Sequence, residues 1–186
     1  MRDLIVTENI TLDGVIDAEG DWFGPAGEAG ADQTDVEAAL RAQLAAADAF
    51  LVGRVTFEDM RAYWPQRTDD TTGVSRYLNS VSKYVVSGTL DDPGWEPTTV
   101  LRGDLGDAVR ELKSAPGTDI VTTGSITLVH ALIAAGLVDE YRLFVHPVVL
   151  GRGRRLFADA TGVRSLHLAE TRPFSSGVVL LRYRTA

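Results

Sequence analysis

The chain has 186 residues, of which 45% are hydrophobic and 24% charged, which suits one domain with a buried core. Its formal net charge of -8 argues against nucleic acid as the main partner, and the absence of cysteine excludes disulfides, thiolate metal sites and a cysteine nucleophile. No apolar run approaches the roughly 20 residues of a membrane span, and the N-terminus lacks a signal peptide's apolar stretch. We therefore expect a cytoplasmic protein with no metal site and no membrane or nucleic-acid partner.

The charge is unevenly distributed along the chain. Residues 1–60 contain 13 acidic and 3 basic residues, a balance of -10, whereas residues 61–186 contain 13 acidic and 15 basic residues, a balance of +2. An anionic ligand would therefore meet less repulsion from the later part of the chain. The alternative is that the early acidic residues only solvate loops and one helix face.

Hydrophobic runs and turn signals predict about eight strands and four helices. The predicted strands are 4–9, 49–52, 83–87, 98–101, 119–123, 139–149, 165–170 and 178–183. The predicted helices are 34–47, 56–61, 104–113 and 125–136. Residues 17–32 are predicted to form a loop, and residues 66–80 to be irregular, with one helical turn around Ser75–Leu78.

The order of these elements predicts the architecture. Helices separate the early strands, whereas the last strands follow one another directly. This pattern predicts an α/β fold with a mostly parallel sheet, helices on both faces and an antiparallel C-terminal end. No repeat, low-complexity tract or linker divides the sequence, so residues 1–186 are predicted to form a single domain.

The first candidate site follows the strand at residues 49–52. Gly53 allows a close approach of the backbone, Arg54 offers a fork of donors suited to phosphate, and Thr56 offers a hydroxyl that can cap the helix predicted to begin there. A strand, a glycine, a cation and a helix N-terminus together favour an anion site, because free N–H groups and the helix dipole point at the ligand. Most such turns bind nothing, so an ordinary connecting loop is the alternative.

The second candidate site is Thr122-Thr123-Gly124-Ser125, in which Ser125 can cap the helix that follows. In an open α/β sheet such turns lie at the carboxyl ends of strands, where ligands bind. Two phosphate-type turns in one small domain suit the pyrophosphate of a dinucleotide. The alternative is that both are ordinary loops of a sheet without a ligand.

Several of these segments resemble known enzymes. Phe50–Met60 resembles the cofactor-binding strand and helix of dihydrofolate reductases, and Lys83–Ser87 resembles the next strand of that fold. Gly124–Phe157 is similar to the reductase domain of riboflavin biosynthesis, which is the C-terminal domain of bifunctional deaminase-reductases, and to its stand-alone relatives. The Leu12-Asp13-Gly14 turn is typical of the same family, and the resemblance covers nearly the whole chain.

The resemblance implies a dihydrofolate reductase-like fold and an NADPH-dependent reductase. Matched position by position, it implies that the residues contacting the cofactor are Asn9, Ile16, Gly53, Arg54, Thr56, Ser87, Arg102, Gly124, Ser125, Thr127 and Leu128. Gly88 and Ile126 stand where dihydrofolate reductases commonly carry a second hydroxyl and an arginine near the 2′-phosphate. NADH is therefore kept as an alternative to NADPH.

Hydride transfer also needs a proton and a shaped substrate pocket. The candidate proton donors are Asp32, Asp35 and Glu37, of which Asp35 lies nearest the helix acid that faces the pterin in dihydrofolate reductases. Alternatively, Asp35 only stabilises the helix N-terminus through the dipole, and water or a substrate phosphate supplies the proton. Trp22 and Trp64 are candidates for walls of the substrate pocket, or else pack in the core.

Two further clusters bear on the substrate. Arg152, Arg154 and Arg155 form a basic cluster that either meets a substrate phosphate or lies in a solvated turn. Deamination is excluded, because its zinc site needs cysteines and a His-x-Glu run, and none of the three histidines stands in such a run.

The resemblance favours reduction of 5-amino-6-(5-phosphoribosylamino)uracil in riboflavin biosynthesis. A dihydrofolate- or pteridine-type reductase and a non-catalytic nucleotide-binding protein of the same fold are the alternatives. The expected partner is a small-molecule substrate. A homodimer is also expected, because the family tends to pair through its C-terminal strands and this region is apolar here.

Overall fold

The computed structural model describes residues 1–20, 22, 32–157 and 165–186, and within them it contains eight strands and five helices. The strands are β1 (Leu4–Thr11), β2 (Ala47–Gly53), β3 (Ser82–Val86), β4 (Thr98–Leu101), β5 (Asp119–Thr122), β6 (Glu140–His146), β7 (Leu166–Pro173) and β8 (Val179–Thr185). The helices are α1 (Thr34–Ala46), α2 (Arg54–Tyr63), α3 (Val74–Ser80), α4 (Leu105–Ser114) and α5 (Ile126–Ala134). Most of the loop predicted at residues 17–32 lies outside the described residues.

All eight strands belong to one sheet, in the order β4-β3-β2-β5-β1-β6-β8-β7. The first six strands along the chain are parallel to one another, whereas β8 runs antiparallel to both β6 and β7. The prediction of a mostly parallel sheet with an antiparallel C-terminal end is confirmed. Among the described residues, no helix is both long and apolar enough to cross a membrane.

Apolar residues alternate along the strands and so supply a core on each face of the sheet. On one face, Leu4 and Val6 of β1 belong to the same buried cluster as residues of α4 and α5. On the other face, Phe50 of β2 lies in a second cluster with Phe57 of α2 and Leu78 of α3. Helix α1 contacts α3 and therefore lies on this second face. The predicted placement of helices on both faces is confirmed.

The helix that the sequence did not predict is α3. It has seven residues, too few to show a clear helical period, and only Ser75 and Leu78 within it are buried. Its start is fixed by Asp70, whose carboxylate accepts hydrogen bonds from the backbone of Thr72 (2.9 Å) and Ser75 (2.8 Å). Burial of Leu78 and these local bonds stabilise a segment that the sequence pattern indicated as a single turn.

A buried acid joins the parallel and antiparallel parts of the sheet. Glu140 begins β6, is 1% exposed, and accepts hydrogen bonds from Arg142 Nε (2.6 Å), Arg182 Nε (2.8 Å) and an Arg184 amino group (3.2 Å). Arg182 also donates to Glu170 of β7 (2.9 Å), so the network crosses three strands. Burial alone would raise the pKa of Glu140, but the hydrogen bonds from Arg182 and Arg142 outweigh it and hold the pKa below its usual value.

We expect Glu140→Ala to lower the free energy of unfolding at neutral pH by about 3–5 kcal/mol, because it leaves buried guanidinium charge without its partner. Glu170→Ala is the matched control and should cost less than about 1 kcal/mol, because its side chain is 37% exposed. Urea unfolding of both variants measures the difference, and equal losses would contradict the role of Glu140.

The contribution of Glu140 to stability is also expected to depend on pH. Because the folded pKa of Glu140 is depressed, its contribution is complete above the usual value of 4.5 and is lost as the pH falls through the lower folded value. The difference in stability between wild type and Glu140→Ala should therefore shrink in acid below about pH 4.5. A difference that grows in acid would contradict this sign.

Candidate functional site

Five neighbouring parallel strands end along one edge of the sheet, in the order β4, β3, β2, β5 and β1. At or near these ends lie residues that the sequence predicted for a cofactor site: Arg102 after β4, Ser87 after β3, Gly53 at the end of β2, Gly124 after β5 and Asn9 in β1. Since neighbouring strands lie about 4.8 Å apart, this edge is about 19 Å long. It is long enough for an extended ligand rather than a single ion.

A crevice opens in the middle of this edge. Strands β2 and β5 are neighbours, but the helices that follow them lie on opposite faces of the sheet, α2 with Phe57 in one core cluster and α5 with Val129 in the other. In open α/β sheets, ligands bind where the connections that follow two neighbouring strands turn to opposite faces of the sheet. The two predicted turns therefore flank one crevice.

The two turns contact each other directly. Ser125 Oγ accepts a hydrogen bond from the backbone N–H of Gly53 (3.0 Å), and Thr56 Oγ1 accepts one from the backbone N–H of Ser125 (3.2 Å). Gly124 and Ser125 both have left-handed backbones, with φ of 61° and 46°. A Cβ on Gly124 would contact Thr56 Cγ2 at 3.4 Å, and a side chain at this left-handed position would strain the backbone.

These contacts correct two predicted caps. Helix α2 begins at Arg54 with Gly53 at its N-cap, so Thr56 lies inside the first turn and its hydroxyl bonds Ser125 instead of capping. Ser125 does occupy the N-cap of α5, but its hydroxyl bonds Gly53 rather than its own helix. Sequence alone could not reveal these partners, because each hydroxyl reaches across the crevice.

The crevice suits an anion. Among the described residues no side chain caps α2 or α5, whereas Asp104 caps α4 by accepting from the backbone of Asp107 (2.9 Å). The first N–H groups and the dipoles of α2 and α5 are thus available to negative charge. Arg54 stands at the start of α2, 2.8 Å from Glu58, with 43% of its side chain exposed.

Ser87 and Arg102 shape the neighbouring loop. Ser87 Oγ accepts hydrogen bonds from the backbones of Thr89 (3.1 Å) and Leu90 (3.0 Å). Arg102 donates to the carbonyls of Gly88 (2.9 Å) and Leu90 (2.6 Å), while about half of its side chain stays exposed. The sequence predicted both residues for one end of the cofactor, and they do meet in one loop.

The two predicted residues within α5 lie in different surroundings. Thr127 is exposed on the first turn, beside the crevice. Leu128 is 7% exposed and packs in the core, where its Cβ lies 3.9 Å from the place that a Cβ on Gly53 would occupy. The side chain of Leu128 therefore packs beneath the turn, and its predicted contact with the cofactor stays a prediction.

A cavity of about 390 Å³ begins at the β5 turn and runs beneath α1, α2 and α3. Of the predicted site residues, its described lining includes Asn9, Ile16, Gly124, Trp22 and Trp64. Most of the other lining residues are apolar. Within the described part of the chain, no group of three or more His, Asp or Glu side chains could hold a metal ion.

Trp22 and Asn9 are both held by neighbours at the cavity wall. Trp22 Nε1 donates to the carbonyl of Asp17 (2.7 Å), and its ring meets His146 edge-on at 5.4 Å. His146 Nε2 lies 3.0 Å from Asn9 Oδ1, and burial lowers the pKa of this histidine. His146 thus contacts two of the residues that line the cavity.

Asp35 is not among the described residues that line the cavity. Its carboxylate accepts hydrogen bonds from the backbone (2.8 Å) and the hydroxyl (3.0 Å) of Ser175, which hold its pKa below the usual value. A charged carboxylate bound to another loop is a poor proton donor. This corrects the expectation that Asp35 faces the substrate.

Glu8 borders the cavity, and the sequence analysis missed it. Its side chain lies on the face of β1 that packs against α4 and α5, opposite to the helices that cover the cavity. It is 5% exposed, and its Oε1 has no hydrogen-bond partner among the described residues. Burial raises the pKa of Glu8 well above its usual value, and interactions with Gly124 and Thr123 offset this only in part. Strand alternation gave a signal, because Glu8 falls on the same face as the apolar Val6 and Ile10.

The sequence profile of the RibD C-terminal domain family matches residues 2–180. The chain belongs to this family. Two relatives from Bacillus subtilis (strain 168) are similar along nearly their whole length. The uncharacterized protein YyaP is 35% identical over 98% of this chain and 94% of its own, and the uncharacterized protein YwjB is 28% identical over 96% of each.

Solved structures share the fold of this RibD C-terminal domain. A putative riboflavin biosynthesis protein from Shewanella sp. PV-4 superposes with a TM-score of 0.76 at 21% identity, over 99% of both chains. The deaminase/5-amino-6-(5-phosphoribosylamino)uracil reductase of Thermotoga maritima superposes with a TM-score of 0.68 at 16% identity, over all of this chain and 57% of that one. The predicted dihydrofolate reductase-like fold is confirmed.

We expect Ser125→Ala to lower the free energy of unfolding by about 0.5–1.5 kcal/mol, because the Gly53 N–H loses its acceptor. Ser125→Gly loses the same bond but relieves the left-handed backbone, which costs a non-glycine residue about 1–2 kcal/mol, so its loss should be smaller. Urea unfolding gives the order of the two variants. The reverse order would contradict the backbone strain at Ser125. Ser80→Ala is the control, because its hydroxyl bonds carbonyls of its own helix, and a loss for Ser125→Ala no larger than for this control would contradict the role of the crevice contact.

Proposed function

We propose that the chain is an NAD(P)H-dependent reductase that transfers hydride to a small heterocyclic substrate. One observation carries the proposal: Gly124 belongs both to the turn at the crevice and to the lining of the cavity. A dinucleotide held across the strand ends would therefore enter the cavity with one of its ends. Its pyrophosphate would meet the uncapped N-termini of α2 and α5.

The residues along the edge fit the parts of such a cofactor in order. Ser87 and Arg102 would hold the adenosine end, Arg54 a phosphate, and Asn9 and Ile16 the nicotinamide at the cavity. NADPH is the proposed cofactor. NADH is the alternative, because Gly88 and Ile126 supply neither the hydroxyl nor the cation expected near a 2′-phosphate.

The reduced nicotinamide would supply the hydride, and the protein would orient it and exclude water. The apolar lining and the rings of Trp22 and Trp64 would help to exclude water, because they leave little polar surface beside the reacting carbon. The substrate carbon would take the hydride, and its neighbouring heteroatom would take a proton from water or from a phosphate of the substrate.

Family membership makes 5-amino-6-(5-phosphoribosylamino)uracil the first substrate to test. A dihydrofolate or another pteridine is the second, and a protein that binds the nucleotide without turnover is the third. The homodimer and the cytoplasmic location stay predictions of the sequence.

Titration of NADPH and NADH, followed by the absorbance of the reduced nicotinamide with each substrate, tests the proposal. We expect binding and substrate-dependent oxidation. Binding without oxidation for every substrate would favour the non-catalytic protein. No binding of either nucleotide would overturn the proposal and leave only the fold.

We expect Arg54→Gln to weaken NADPH binding by about tenfold or more, because hydrogen bonds to charged groups contribute about 1.5–3 kcal/mol. Glu58→Gln should not weaken it, since the substitution only frees Arg54 from its ion pair. Arg41→Gln is the matched control, because Arg41 is similarly exposed and also pairs with a glutamate four residues away. Isothermal titration calorimetry measures all three, and equal losses for Arg54→Gln and Arg41→Gln would contradict a phosphate contact at Arg54.

A further inference from the structure

Asn9 and His146 meet on the side of the sheet that faces the cavity. Side chains alternate along β1, so Asn9 lies on the same face as Thr7, and both residues line the cavity. On the neighbouring strand β6, Phe144 pairs with Asn9 and also lines the cavity, and His146 lies two residues farther along on the same face. Asn9 is exposed at this wall, so its amide is available to a ligand.

The contacts of the His146 ring decide which of its nitrogens carries the proton. Nε2 lies 3.0 Å from Asn9 Oδ1, whereas Nδ1 is buried without a hydrogen-bond partner among the described residues. Burial also lowers the pKa of His146 and so favours the neutral ring, which has a single N–H. A proton on Nδ1 would be a buried donor without an acceptor, which is rare in proteins, so the proton belongs on Nε2.

This proton fixes the orientation of the Asn9 amide. Nε2–H of His146 donates to Oδ1, so the carbonyl oxygen of Asn9 is used within the protein. The amide nitrogen then remains for the cavity with its two N–H donors. The reverse orientation would place the amide N–H groups of Asn9 against the N–H of His146, donor against donor.

The ring of His146 is itself restrained. It meets the ring of Trp22 edge-on, with centroids 5.4 Å apart, and Trp22 Nε1 donates to the carbonyl of Asp17 (2.7 Å). The donor of Asn9 is therefore oriented before any ligand arrives, which lowers the entropic cost of binding.

The chemistry of this donor selects its ligand. Most of the lining around Asn9 is apolar, so a bound ligand without an acceptor there would displace water from the amide N–H groups and leave them unpaired. A carbonyl oxygen at the edge of a flat ring is the matching acceptor. Both rings of the proposed reaction carry one, in the carboxamide of the nicotinamide and in the carbonyl of a pyrimidine or pteridine.

We propose that Asn9 recognises a carbonyl oxygen of a ring bound in the cavity, and that His146 is the positioning residue that holds its amide in the donating orientation. The inference rests on the proposed reductase, since it names the group that the same cavity recognises. The carbonyl belongs either to the nicotinamide or to the heterocyclic substrate, and two pairs of probes distinguish these sources.

Each pair of probes exchanges oxygen for sulfur, which is a weaker acceptor. The first pair is NADPH and its thionicotinamide analogue, and the second is lumazine, a pteridine dione, and 2,4-dithiolumazine. We expect the wild-type protein to bind the oxygen member at least about fivefold more tightly in one pair, as isothermal titration calorimetry measures. A preference in the first pair assigns the carbonyl to the nicotinamide, and a preference in the second assigns it to the substrate ring.

No preference for oxygen in either pair would overturn the inference, and so would failure of all four probes to bind. Failure of NADPH alone, with a preference for oxygen in the lumazine pair, would overturn the reductase but support the recognition by Asn9. The two proposals therefore fail separately.

Asn9→Asp tests the donor. It keeps an oxygen for His146 but replaces the two N–H donors with a second oxygen, so the preference for oxygen should disappear and binding of the preferred probe should weaken at least about tenfold. Asn9→Ala removes both groups and should also abolish the preference. An Asn9→Asp variant that retains the preference would contradict the contact.

His146→Phe tests the positioning. It keeps an aromatic ring against Trp22 but removes Nε2–H, so the Asn9 amide is free to turn and the preference should fall below about twofold. His146→Gln offers an amide N–H at similar reach and should restore part of the preference. His130→Phe is the matched control and should bind like wild type, because His130 Nε2 also lies near an oxygen, the carbonyl of Arg155 at 2.8 Å, but is outside the described lining.

Melting temperatures separate positioning from a structural role. His146→Phe removes a buried nitrogen without a partner and keeps the ring packing, so its melting temperature should stay near that of wild type. Loss of the preference at an unchanged melting temperature would support the inference. An unchanged preference in His146→Phe would overturn the role of His146, as would a His146→Gln variant that melts early and binds all four probes equally weakly.

Discussion

Two hydrogen bonds between the ends of β2 and β5 organise the binding edge. Gly53 and Thr56 on one side and Ser125 on the other exchange a donor and an acceptor across the crevice, at 3.0 and 3.2 Å. Because α2 and α5 begin at these residues, the same contacts fix both helix N-termini relative to each other. Their two dipoles then act on one place, and the apolar cavity begins next to it.

The sheet separates two environments along this edge. Toward β4, the strand ends carry Arg102, Ser87 and Arg54, which are suited to negative charge. Toward β1, they lead to an apolar cavity. A bound ligand with a charged part and a flat, uncharged part would match this polarity, which is how a dinucleotide and a heterocycle come together in the proposed reductase.

Features that depend on residues adjacent in the chain could be predicted from the sequence, whereas features that depend on distant residues could not. The two turns were predictable, because a buried strand, a glycine and a hydroxyl are adjacent in the chain. Helix α3 was not, since its stability comes from Leu78 and from bonds to Asp70 rather than from a periodic pattern. Asp35 was misassigned because its partner, Ser175, is 140 residues away. Glu8 was missed because its burial depends on packing that the sequence does not show.

Arg54 forms an ion pair with Glu58, so a phosphate that binds Arg54 would replace the carboxylate as its partner. An arriving phosphate competes with a carboxylate 2.8 Å from the guanidinium, which is only a weak competitor because exposed helix pairs contribute about 0.3–0.5 kcal/mol. Before a ligand binds, the carboxylate of Glu58 restrains the long side chain of Arg54 beside the crevice. Added salt would weaken both this ion pair and the attraction between Arg54 and a phosphate.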